Sequence, residues 1–104
     1  MDGELREIRG RIDAVDREIV GLLAVREGLV RRAAAVKKDE EAVRAPERVE
    51  RVVAGVRERA VEAGLSPGVA EAVWRAMITA FIELELDEHR ALGREAPVSD
   101  APTP

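Results

Sequence analysis

Five charged side chains stand where chemistry is possible: Arg9, Arg26, Lys37, Arg48 and Glu85. Arg26 is the most telling. Alternating steps of three and four from Leu5 give Leu5, Ile8, Ile12, Val15, Ile19, Leu22, Arg26, Leu29, Ala33 and Val36. This is a helical seam of heptad type, apolar at every position but one. A guanidinium in such a seam is costly unless an anion meets it. Arg26 therefore either pairs with a buried carboxylate or serves an anionic ligand. Lys37 lies three turns further on, rotated by about 20° and displaced by roughly 16 Å, so the two long cations could clasp a small anion between them. Arg9 is about 25 Å from Arg26 and on another side of the helix. It cannot reach the same ligand within one chain, but an antiparallel partner chain could bring it there.

Glu85 falls on the apolar stripe of a later helix, as Arg26's counter-ion or as part of a site. Arg48 is able to point inward beside Val52. Each residue also has an ordinary reading. Lys37 beside Lys38 suits a solvated helix end, and Arg48 near Glu47 and Glu50 suits a surface ion pair. His89 has no second His or Cys at ligand spacing and reads as an exposed helical residue; no metal site is expected.

The elements that position these residues follow from pattern and punctuation. The seam predicts one long helix over 3–38. Residues 39–45 lack a stripe and read as a loop. Pro46 suits the first turn of a second helix, with Glu47 favoured at its positive end. Val49, Val52, Val53, Val56, Ala60 and Ala63 form its apolar face, and Gly64 ends it. Ser66 as cap and Pro67 at the first position open a third helix, which carries Val69, Val73, Trp74, Met77, Ile78, Phe81 and Ile82. The expectation is an all-α domain over 1–93, one long helix and two shorter, with a disordered Pro-rich tail over 94–104.

Composition narrows the function classes. Of 104 residues, 46% are hydrophobic, but Trp74 and Phe81 are the only aromatics. Small aliphatics must build a modest core, and oligomerisation is a reasonable way to bury more. There is no cysteine, so neither a disulfide framework nor a thiolate metal site arises. The net charge of −4 is spread over interleaved acids and bases, which argues against a nucleic-acid partner. No apolar run approaches the ~20 residues of a membrane span, and Met-Asp-Gly-Glu begins no secretory signal. A cytoplasmic protein without a membrane partner is expected.

Taken together, the charged residues resemble a family pattern. Ile8-Arg9-Gly10-Arg11-Ile12-Asp13-Ala14-Val15-Asp16, then Leu22-Leu23, Arg26 and Lys37, is similar to the first helix of the all-α chorismate mutases. Pro46-Glu47-Arg48 resembles the start of their second helix, and Gly64-Leu65-Ser66-Pro67 the link to their third. Glu85 falls where that family usually has Gln or Glu. The resemblance covers about residues 5–90. It implies three helices per chain in an intertwined homodimeric bundle, with each site built from both chains. By position, Arg26 and Arg48 would bind the substrate carboxylates, Arg9 would arrive from the partner, and Lys37 and Glu85 would flank the ether oxygen.

The implied reaction is the Claisen rearrangement of chorismate to prephenate, a step of the shikimate pathway toward aromatic amino acids. It needs no nucleophile, metal or cofactor. The enzyme restricts the enolpyruvyl arm over the ring and meets negative charge growing on the ether oxygen. An ionised carboxylate would repel that oxygen, so Glu85 is expected to work protonated, as a hydrogen-bond donor. Two positions depart from the common pattern. Val49 stands where many members have an acidic residue, and Phe81 where they often have a small hydroxyl residue. The Ala45-Pro46-Glu47-Arg48-Val49 string resembles the related isochorismate-pyruvate lyases, which form salicylate, and 4-amino-4-deoxychorismate mutases can carry both the Val and the Glu. These are the alternative substrates. A silent helical dimerisation or regulatory module, with Arg26 tied up by Glu85, is the alternative of another class.

Overall fold

The computed structural model describes residues 2–95, with side chains through Gly93. The chain is all-α, with three helices and one single-turn segment: α1 Asp2–Val36, α2 Glu40–Arg44, α3 Pro46–Ala63 and α4 Pro67–Glu95. No strand occurs among the described residues. The expected tail from residue 96 onward lies outside them, and α4 runs past 93 to Glu95. None of the described helices is long and apolar enough to cross a membrane.

The chain divides between Val30 and Arg31 into two compact units. In the first, α1 runs without interruption for most of its roughly 50 Å length. Its seam is bare: Leu5, Ile12, Ile19 and Leu29 are each about half exposed, and Leu22 is 71% exposed. The only buried residue of the whole helix is Ala34, beyond that boundary.

The second unit holds the core. Val56, Ala60 and Ala70 are buried together, with Val52 and Trp74 packed against them. The sequence stripe is right for α3 at Val53, Val56 and Ala60 but shifted at the start of α4. There Ala70 is buried, while Val69 and Val73 are about half exposed. Ala60 and Ala70 explain the shift, since small side chains let two helix backbones approach closely where larger ones would not fit. A brace of charges closes the outer edge of this pair. Arg75 donates from Nη1 and Nη2 to the two oxygens of Glu50, each at 2.8 Å, and from Nε to Glu71 at 2.8 Å. Arg57 donates to the other Glu71 oxygen at 2.8 Å. These hydrogen bonds, from Arg75 first, hold the Glu50 and Glu71 carboxyls below their ordinary range.

The expected loop over 39–45 is instead a turn of helix. Asp39 is extended and accepts a hydrogen bond at Oδ1 from the Ala42 N–H at 2.8 Å. Asp is a strong N-cap residue because this bond satisfies a donor that the first turn leaves unpaired. The same preference stops α1 at Val36, before Lys37 and Lys38, where the sequence pattern would have continued it. Glu40 and Glu41 sit at the positive end of the new turn and Arg44 at its negative end. Val43 is buried beneath it, 3% exposed.

Two residues with positive φ mark the corners around α3. Gly64, at φ 79°, ends it as the sequence predicts, with the Leu65 N–H reaching back to the Ala60 carbonyl at 2.8 Å. Ala45, at φ 32°, joins α2 to α3. Pro46 disfavours right-handed helical backbone in the residue before it, which pushes Ala45 out of that region. Left-handed backbone costs a side-chain-bearing residue about 1 kcal/mol. Ala45→Gly should therefore raise, and Gly64→Ala lower, the unfolding free energy by about 1 kcal/mol each in urea titrations.

The arginine contacts also set an acid response. A depressed folded-state pKa contributes stability above the ordinary value of 4.5 and loses it as pH falls through the folded-state value. The melting midpoint should fall below about pH 4.5, and Glu71→Gln should flatten that fall.

Candidate active site

The C-terminal end of α1 and the middle of α4 bring two of the expected residues together. Glu85 is on α4 and only 5% exposed. Lys37, just past the end of α1, donates from Nζ to both of its carboxylate oxygens, at 2.8 and 3.0 Å. Lys37 is thus no solvated helix end; its side chain is 29% exposed. The contact is that of an ammonium ion with a carboxylate.

Glu85 is buried because it occupies a core position of α4. Leu86, the next residue, and Ile78, two turns earlier, are buried too, and Phe81, one turn earlier, is half-buried. A carboxylate on such a face needs a partner, since an unpaired buried charge is among the costliest defects in a fold. Further along the same face, Glu88 accepts from Arg31 Nη1 at 2.9 Å. His89 places Nε2 2.9 Å from the Lys37 carbonyl oxygen. His89 is therefore half-buried, not the exposed residue the sequence suggested. Arg90 donates to Glu40 of α2 at 2.6 Å and lowers that carboxyl's pKa. The spacing of Glu85, Glu88 and His89 along one helix face was visible in the sequence. Their targets, Arg31 on α1 and Lys37 just past its end, were not.

The remaining expected residues are placed separately. Arg48 is exposed in the first turn of α3, and Val49 beside it is half-buried. Arg48 lines an open cleft of about 540 Å³ with Asp39, Glu41, Glu47 and Arg51. Neither Lys37 nor Glu85 is among the residues lining it. Acids outnumber bases around that cleft, so it is not an anion site by itself. Arg9 and Arg26 belong to the other unit, where Arg9 is exposed and Arg26 is half-buried and engaged in an interaction. No group of three or more His, Cys, Asp or Glu side chains suited to a metal ion occurs among the described residues.

The arrangement is a small all-α domain with a lysine–carboxylate pair sheltered where two helices meet. The family model described as chorismate mutase type II matches residues 8–86, and the chain belongs to that family. The match spans Arg9 through Glu85 and thus every candidate residue. Comparison with curated proteins and with solved structures found no match.

The paired burial has a measurable consequence. Lys37→Met strands the Glu85 carboxylate and should cost about 2 kcal/mol, below the 3–5 kcal/mol typical of deep pairs because Lys37 keeps some solvent. Adding Glu85→Leu removes the stranded charge. Urea unfolding should find the double variant more stable than Lys37→Met alone.

Proposed function

We propose that this chain is a chorismate mutase, converting chorismate to prephenate. The observation that carries the reading is the Lys37 ammonium held against a nearly buried Glu85, at 2.8 and 3.0 Å. In the rearrangement the ether C–O bond breaks as the new C–C bond forms, within one molecule and without an external proton or electron. Negative charge collects on the ether oxygen. Lys37 turns from Glu85 to that oxygen, and Glu85, taking up a proton from solvent as substrate separates the pair, donates a hydrogen bond to it and keeps that proton. A preplaced cation in a water-poor setting stabilises such charge without reorganising at the moment of reaction. Arg26 and Arg48 take the two carboxylates, holding the reacting ends in register. Val49 and Phe81 lie against the ring.

The bare seam of α1 supports a homodimer. A face with Leu22 71% exposed and Ile12 52% exposed is poorly suited to water, and a second copy offers the same heptad pattern in return. Arg9 then enters the partner's site. The protein acts in the cytoplasm, in the shikimate pathway toward aromatic amino acids. Val49 favours a second reading, because an apolar residue after Arg48 provides no polar contact to a ring hydroxyl. On that reading the substrate is isochorismate, cleaved to salicylate and pyruvate, or aminodeoxychorismate.

Incubation with each of the three substrates, followed by product analysis, decides among them. Prephenate supports the mutase, salicylate with pyruvate supports the lyase, and no turnover supports a silent helical module. Lys37→Ala and Arg26→Ala should each lower kcat/KM by about 100-fold or more. Arg9→Ala and Lys37→Ala chains should be inactive alone yet regain activity when unfolded and refolded together. One site of each mixed dimer then escapes both lesions. Failure of that recovery in a mixed dimer overturns the shared-site arrangement.

A further inference from the structure

We propose that His89 is a positioning residue, which fixes the backbone of Lys37 and so sets where its ammonium can act; the role rests on the chorismate mutase reading. Helix α1 ends at Val36, and the Lys37 N–H makes the closing bond to the Ala33 carbonyl at 3.1 Å. The Lys37 carbonyl points beyond the last turn, where no further turn of α1 can bond to it. His89 Nε2 meets that oxygen at 2.9 Å. A carbonyl only accepts, so Nε2 carries the hydrogen, and both the neutral and the cationic ring can supply it.

Glu85 and His89 are one helical turn apart on α4, about 6 Å along its axis. That turn therefore grips Lys37 twice, at the ammonium through Glu85 and at the backbone through His89. The lysine stem between these grips is a flexible four-carbon chain. Substrate must loosen the grip at Glu85, because the ammonium is needed at the ether oxygen. The grip at His89 is on the main chain and persists through the reaction. It holds the root of the side chain while the tip changes partner. Lys38 and Asp39 follow outside the helices, and Asp39 is tied forward to α2 through the Ala42 and Val43 N–H groups, so neither helix end holds the Lys37 carbonyl. A displacement of about 1 Å at a reacting group is enough to cost up to 100-fold in rate. The defect falls on kcat, since the carboxylates are bound by other residues.

The test compares His89→Leu, which removes the donor, with His89→Gln, whose amide nitrogen can replace Nε2. Wild-type turnover of chorismate is measured first; its absence overturns the functional reading and this role with it. With wild-type turnover present, His89→Leu should lower kcat between about 10- and 100-fold. KM should stay within about twofold, and His89→Gln should recover most of the loss, with both variants melting near the wild type. If His89→Leu does not fold, His89→Asn replaces it, its amide being too short to reach the carbonyl. Full activity without the donor overturns the proposal. So does a Gln variant as impaired as the donorless one, or a loss that falls on KM and leaves kcat intact.

Discussion

A carboxylate only 5% exposed cannot be left alone, and the packing of Glu85 against Lys37 answers that requirement. The pair ties Lys37, just past the end of α1, to the buried face of α4. Around it, Arg31 with Glu88 and Arg90 with Glu40 add exposed contacts that each contribute little. Lys37 with Glu85 differs because Glu85 has no recourse to water. Under the proposed function, the same constraint would give the site its chemistry. An ammonium that must stay near a sheltered carboxylate is already where a growing oxyanion can use it, and the fold has met its desolvation cost in advance.

The second constraint is the shortage of core. Among the described residues no side chain larger than alanine is completely enclosed, and the principal cluster consists of Val56, Ala60 and Ala70. Such residues permit close helix packing but remove little apolar surface each. Meanwhile the longest helix leaves most of its apolar seam in water. The proposed pairing of two copies gives those surfaces a common use.

The corner between α1 and α3 shows how local chemistry overrides a stripe. Asp39 stops the long helix and starts α2 because its side chain bonds the Ala42 N–H better than it would serve inside a helix. Pro46 then fixes the first turn of α3 and keeps Ala45 out of right-handed helical backbone; Ala45 is left-handed there. Arg48 is thereby held at the very start of α3. Residues 39–45 form a helical turn instead of the expected loop because Asp39, a residue type that favours the N-cap, supplies the bond that starts it.

Periodicity and punctuation determined the all-α class, the long helix, the second helix between Pro46 and Gly64, and the helical course through Phe81 and Glu85. These depend on residues close in sequence, where backbone geometry alone decides which side chains share a face. The charged residues at Arg9, Arg26, Lys37, Arg48 and Glu85 were likewise legible, because each stands out by type against its neighbours or by its spacing from the others. Their partners were not. That Glu85 meets Lys37, that His89 meets the Lys37 carbonyl, and that Ala70 instead of Val69 or Val73 is buried were decided by how the helices pack in three dimensions. A helix face says which residues travel together, but the crossing of one helix over another decides what they touch. That crossing is set by the fit of side chains too distant in sequence for any local pattern to register.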